Sequence, residues 1–210
     1  MTKVKYIVAL FIMLLLIVIV PNTSKAATEY TYSDSEQGIE WGYELDESGN
    51  VVNLRCKTTT VTGEITIPAT IDGKTVISLS GYNGKGAFEN CVGLKGITIP
   101  DTITKIGQYA FYKCAGLSTI NIPNSVTTIG SYAFSGCAGL RTINLSENLI
   151  TIGNYAFSYC TGFKNIEIPN SVISIEVRAF LRLQWNKRNK TFRESNKNKY
   201  SYLYGMFRAY

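Results

Sequence analysis

A β-rich solenoid of stacked 23-residue coils is the fold this sequence predicts, and three observations predict it. The dipeptide Ala-Phe recurs at 87–88, 110–111, 133–134, 156–157 and 179–180, always 23 residues apart. Cysteines stand at 91, 114, 137 and 160 with the same spacing. Within each unit the apolar residues alternate over a short stretch, as in Leu117-x-x-Ile120-x-Ile122, the pattern of a strand with one buried face. Further phases lock to the same period: Leu94, Leu117, Leu140 and Phe163; Ile97, Ile120, Ile143 and Ile166; Ile106, Ile129, Ile152 and Ile175; and the glycines 93, 116, 139 and 162. The unit reads CxGLxxIxIPxSVTxIGxYAFxx. A fixed period of this length marks a chain of repeated supersecondary units, none of which can hide its apolar side alone.

The elements follow in chain order. Lys3 and Lys5 precede an unbroken apolar run from Tyr6 to Val20, Pro21 ends it, and Ser24-Lys25-Ala26 offers small residues for cleavage. A basic start, an apolar centre of 15 residues and a small-residue exit read as a secretory signal peptide over 1–26. The run is shorter than the ~20 residues that span a bilayer, so cleavage is expected in place of a retained anchor, with no stable membrane insertion afterwards. The protein is therefore expected to be secreted, extracellular, with surface association left open.

Residues 27–63 form an N-terminal segment that ends in a β-hairpin cap. Ser48-Gly49-Asn50 is a hairpin turn signal between alternating stretches, which predicts a hairpin over 43–61 covering the first coil. The solenoid is assigned to 64–180. Its first coil is long: Pro68 to Pro100 spans 32 residues, and the surplus near Asp72–Gly84 predicts an extra loop with Tyr82-Asn83-Gly84 at its tip.

Inside a regular coil, Leu117 to Ile122 predicts a strand that Pro123 stops, since proline cannot donate to a ladder. Val126 to Ile129 predicts a second short strand, and Gly130 is expected to permit the tight turn that ends it. The Tyr-Ala-Phe segment is expected to return the chain as a 3₁₀ turn. Stacking at ~4.8 Å brings like side chains into columns. Each buried Leu, Ile or Phe contributes about 1.5–3 kcal/mol.

The repeat vanishes over residues 181–210, a basic tail with eight Lys/Arg against Glu194 alone, whereas residues 27–180 hold ten Lys/Arg and fourteen Asp/Glu. The high pI thus belongs to the chain ends and does not point to a nucleic-acid-binding body. Three readings of the tail stand side by side: a basic arm, a disordered end, and a frameshifted repeat. The third explains most. Read one nucleotide later, Trp185-Asn186 forces glycine at 185 and Met206-Phe207 forces cysteine at 206, each in ladder phase. Permitted codons also give cysteine at 183, isoleucine at 189 and 198, valine at 195 and phenylalanine at 203.

The unit resembles the BspA-type leucine-rich repeat of bacterial surface proteins, over roughly residues 64–180. Trp41 to Asn50 and Val61 to Pro68 are similar to the N-terminal end of such domains. The resemblance implies a leucine-rich repeat solenoid serving as a secreted or cell-surface scaffold for protein binding or adhesion, without catalysis. The alternative is the repeat region of a larger secreted enzyme or wall protein that a frameshift has cut short. The partner expected is an unidentified protein or matrix ligand, and no nucleic acid.

Candidate chemistry is sparse. There is no histidine, which removes the commonest general base and metal ligand, and neither a Walker-type loop nor a dinucleotide fingerprint occurs. No catalytic, cofactor or metal site is assigned. The cysteine file admits a metal site, a disulfide framework or buried packing; the last is favoured, because one thiol per coil does not converge on a tetrahedral centre. Tyr109, Tyr132 and Tyr155 read as a sugar platform or, preferably, as ring-on-ring packing. The exposed strand positions Lys95, Thr98, Ser118, Asn121, Arg141, Asn144, Lys164 and Glu167 form the candidate interaction face.

Overall fold

The computed structural model describes residues 28–183 apart from 59, 82, 83 and 165. The signal segment and nearly all of the basic tail lie outside the described residues, as does most of the loop tip at Tyr82-Asn83. Within them the fold is built of strands and turns, and it begins with β1 (Tyr30–Asp34), β2 (Ile39–Leu45) and β3 (Val51–Cys56). These pair as an antiparallel sheet in the order β1-β2-β3, so the cap is a three-strand meander starting at Tyr30, one strand more than the expected hairpin. Asp46 closes its second turn by accepting from the N–H groups of Ser48 and Asn50, and the Asn50 amide beside it holds its carboxyl below the usual range. Trp41 is fully buried and meets Phe88 edge to face at 5.8 Å, seating the sheet on the first coil.

The first coil holds β4 (Thr62–Thr66), β5 (Thr70–Ile71), β6 (Lys74–Thr75) and β7 (Ser78–Leu79). Its surplus falls in two places. Pro68 to Leu79 covers eleven positions where Pro100 to Ile106 covers six, and β5 and β6 make a small hairpin there around Asp72 and Gly73, both with positive φ. The rest follows Leu79. The regular coils contribute β8 (Gly93–Thr98), β9 (Lys105–Ile106), β10 (Thr119–Asn121), β11 (Thr128–Ile129), β12 (Thr142–Asn144), β13 (Thr151–Ile152) and β14 (Ser174–Ile175).

Two parallel ladders run up the stack. The first joins β4 to β8 and β10 to β12; the second runs β7-β9-β11-β13-β14 without a break. The cap extends the second, since Val51 bridges Val76 and Ile77 N–H donates to Val51 O at 3.0 Å, and it also reaches the turn segment, where Cys56 N–H donates to Ala87 O at 2.8 Å. β3 thus stands where a preceding coil would stand.

A third ladder is made of turns. Ala110, Tyr112 and Cys114 donate three residues back within their own coil, while Tyr109, Phe111 and Lys113 donate forward to Ser131, Ala133 and Ser135 of the next. No 3₁₀ helix forms, because Tyr109, Lys113 and their equivalents Tyr132, Tyr155 and Tyr159 take the left-handed conformation, with φ of 54–59°. Left-handed residues at every fourth position bracket a segment whose alternate N–H groups reach the neighbouring coil.

Gly130 differs from expectation in its reason. Its φ is not positive; a Cβ there would stand 2.8 Å from Gln108 N of the coil below. Gly116, Gly139 and Gly162 obey the same constraint, with a Cβ 2.2–2.5 Å from a carbonyl oxygen of the previous coil. Close approach of backbones, not turn conformation, selects glycine at these phases.

The core is a set of columns. Phe88, Phe111, Phe134, Phe157 and Phe180 stack with centroids 5.0–5.4 Å apart and planes within 11°. The Leu94 column and the Ile106 column are buried throughout. The thiols of Cys114, Cys137 and Cys160 point at the carbonyl oxygens of Phe88, Phe111 and Phe134 at 2.9–3.0 Å, each donating to the coil before it. All five cysteines are free. Burial pushes the Cys91 thiol up to about 11 and raises those of Cys114 and Cys137 well above the usual value.

Two outcomes are expected. Phe134→Ala removes the middle ring and should cost about 3–5 kcal/mol in urea unfolding, with Phe180→Ala costing less at the stack's end; equal costs would contradict the stacked core. The buried thiols should resist alkylation at pH 8 until the chain unfolds. The stability contribution of Cys91, Cys114 and Cys137 is complete below the ordinary thiol pKa and lost as pH rises through the raised folded values, so the urea midpoint should fall between about pH 9 and 11. Rapid native alkylation of four or more thiols would refute this burial.

Candidate functional site

The chemistry-bearing positions of a solenoid are those its columns leave outside. In β10 the side chain of Ile120 turns inward and Thr119 and Asn121 turn outward, and β12 repeats this with Ile143 between Thr142 and Asn144. The exposed face follows from period two set against a buried isoleucine.

The sequence-derived residues fall into two columns on this face. Lys95, Ser118, Arg141 and Lys164 form the first, tied by the backbone: Ser118 N–H donates to Lys95 O at 3.1 Å, Arg141 to Ser118 at 2.9 Å and Lys164 to Arg141 at 3.4 Å. Ser118 is half-buried and its Oγ also donates to Lys95 O at 3.2 Å, so it belongs partly to the scaffold. The other three are exposed cations. Thr98, Asn121, Asn144 and Glu167 form the second column, all exposed, with Asn121 directly opposite Asn144. The structure brings all eight to one side of the stack.

Sequence reasoning missed the column between them. Thr119 and Thr142 are exposed and face each other across β10 and β12. Strict alternation counted from Ile120 finds them; counting from Leu117 instead leads to the corner residue Ser118.

At the C-terminal side of this face a cleft of about 490 Å³ opens between β12 and residues 166–170. Thr142, Asn144, Glu147, Glu167 and Asn170 supply its polar groups, and Ile143, Ile166 and Ile168 its floor. The cleft exists because the first ladder parts here. Ile122 N–H donates to Asn144 O at 2.8 Å, but residues 166–168 carry no strand and Leu145 N–H finds no equivalent acceptor among the described residues. A basic column therefore borders a polar cleft with two carboxylates. Such a surface offers hydrogen bonds and charge pairs to an extended polar ligand, not an enclosed reaction chamber.

Elsewhere, Tyr109, Tyr132 and Tyr155 stack at 5.1 and 4.9 Å, the ring-on-ring packing preferred from the sequence. Arg178 occupies the tyrosine phase one coil later, donates to Tyr155 Oη at 2.6 Å and lies over its ring at 5.8 Å, ending the file. Among the described residues no group of three His, Cys, Asp or Glu side chains is placed to hold a metal ion, and no helix is long and apolar enough to cross a membrane.

No curated protein matches the chain. Among solved structures, the leucine-rich repeat protein TpLRR of T. pallidum is 28% identical, with a TM-score of 0.61 over 70% of this chain and 65% of that one. A leucine-rich repeat protein from Bacteroides ovatus ATCC 8483 is 34% identical, with a TM-score of 0.55 over 68% of this chain and 37% of that one. The chain thus spans less than two thirds of the length of either. A family model described as the BspA type leucine rich repeat region matches residues 83–205 in six copies. With more than half of its residues under that match, the chain belongs to the BspA-type leucine-rich repeat family.

Proposed function

We propose that this protein is a secreted or cell-surface scaffold that binds an extracellular protein or matrix component through the face bearing Asn121, Asn144 and Glu167. In each coil every inward position is fixed by packing and the outward ones are free to differ. The observation that carries it is the junction of an ordered polar column with a cleft of about 490 Å³ on the same face. Lys95, Arg141 and Lys164 along its edge would steer an acidic partner and set its register, while hydrogen bonds from Thr142, Asn144 and Asn170 in the cleft would supply affinity. The family is a repeat scaffold, which agrees with binding without catalysis. Export by the N-terminal segment and adhesion as the outcome of binding belong to the same proposal.

Two measurements test it. The full chain is presented to immobilised extracellular matrix proteins and to intact cells, alongside Asn144→Ala/Glu167→Ala and the control Gln108→Ala, whose exposed side chain lies on another surface. The double variant should bind about tenfold or more weakly, since central anchors carry about 1–2 kcal/mol each, with its unfolding midpoint unchanged. Equal binding by both variants would remove this face from the function. When the gene is expressed with its leader, protein recovered outside the cell should begin at Ala27; recovery only in membranes with Met1 retained would end the secretion reading.

A further inference from the structure

We propose that the last described coil is an internal coil, and that its C-terminal edge is built to receive one more 23-residue coil, encoded by the same gene one nucleotide out of frame with residues 183–210. The backbone supplies the first half of the case. In each earlier coil the N–H of Phe111, Phe134 or Phe157 donates to an alanine carbonyl of the next coil at 2.7–2.8 Å, and that of Lys113, Gly136 or Tyr159 donates to Ser135, Ser158 or Leu181 O of the next coil at 2.8 Å. The equivalent donors in the last coil are Phe180 and Arg182, and neither meets an acceptor among the described residues. On the second ladder, Ile150 O and Ile152 O accept from Ile173 and Glu176, whereas Ile173 O and Ile175 O meet no donor there. β14 is paired on one edge only. The cap answers these needs at the other end through β3, and nothing described answers them here.

The genetic code supplies the second half. Only tryptophan and methionine have a single codon, so Trp185 and Met206 are the positions where the reading one nucleotide later is fully determined. They give glycine and cysteine. Position 185 is the phase of Gly139 and Gly162, where a Cβ would stand 2.3 and 2.5 Å from a carbonyl oxygen of the coil below. Position 206 is the phase of Cys114, Cys137 and Cys160, whose thiols donate to that coil's phenylalanine carbonyl. Both determined residues thus meet a physical requirement of the stack.

Asparagine followed by lysine, at 186–187, 189–190, 196–197 and 198–199, gives only isoleucine or threonine in that frame. Phase 189 holds Ile97, Ile120, Ile143 and Ile166; phase 198 holds Ile106, Ile129, Ile152 and Ile175; phase 196 holds Thr104, Thr127, Ile150 and Ile173. Every member of these three phases fits. No choice of codons puts a stop in the frame from 183 to 209. Reading one nucleotide earlier gives methionine or valine at 185 and cannot give cysteine at 206.

Two readouts decide. In the nucleotide sequence of the locus, the displaced frame should specify cysteine at 183 and isoleucine at 189 and 198, and should keep the 23-residue period past codon 210. Threonine at both 189 and 198, or loss of the period beyond 210, would overturn the proposal even if no altered chain folds. In protein, replacing residues 183–210 by the displaced-frame translation through at least the next coil should slow amide exchange at Phe180 and Arg182 by tenfold or more relative to the present chain. Unchanged exchange at these amides in a folded product would also overturn it.

Discussion

The structure depends on backbone hydrogen bonds that cross from coil to coil. A helix satisfies its amides internally, whereas each coil here sends alternate N–H groups of its turn segment to the coil ahead and receives others from the coil behind. No coil is complete alone. This requirement fixes the coil spacing at the strand-to-strand distance, which in turn sets the phenylalanine rings 5.0–5.4 Å apart. Side-chain identity follows from backbone spacing: at this distance a column accepts only side chains that tolerate a copy of themselves directly above. Phenylalanine and isoleucine do so by stacking, cysteine by turning its thiol to a carbonyl, and glycine by having nothing to place there.

The dependence explains what the sequence disclosed and what it concealed. The solenoid, its period and the membership of each column were legible, because every buried position recurs in phase and periodicity reports burial directly. Local conformation within the coil was less legible. Tyr109 and its successors hold positive φ although tyrosine is a poor residue for it. Nothing in their chemistry announces this, because the cross-coil hydrogen bonds impose it. Glycine at 130 suggested a special φ for the same reason in reverse, since sequence alone does not separate a conformational need from a steric one. The cap was underestimated by one strand because Tyr30 to Asp34 has no repeat to betray it.

The candidate face was legible as a face and less so as a set of residues. Alternation located the outward side, but the choice between Ser118 and Thr119 turned on where the strand begins, a boundary that depends on the pairing of β10 with β12. The cleft was invisible to the sequence because it is a defect of stacking. It lies where residues 166–168 fail to continue a ladder that the repeat predicts they should join. A surface feature created by a departure from periodicity cannot be read from the periodicity.

The division between inner and outer positions bears on function. Inward, the column at Ile106 holds one residue type through four successive coils, since each member must fit its neighbours above and below. Outward, the column at Lys95 continues as serine, arginine and lysine, and that at Thr98 as two asparagines and a glutamate. The stack tolerates this variety because an exposed side chain affects no ladder, so the chemistry of the face can change without cost to the fold. A binding surface needs many groups spread at regular intervals on a rigid support, which the columns supply by construction. The same backbone bonding that prevents a coil from standing alone thereby makes the assembled stack suited to recognising extended partners.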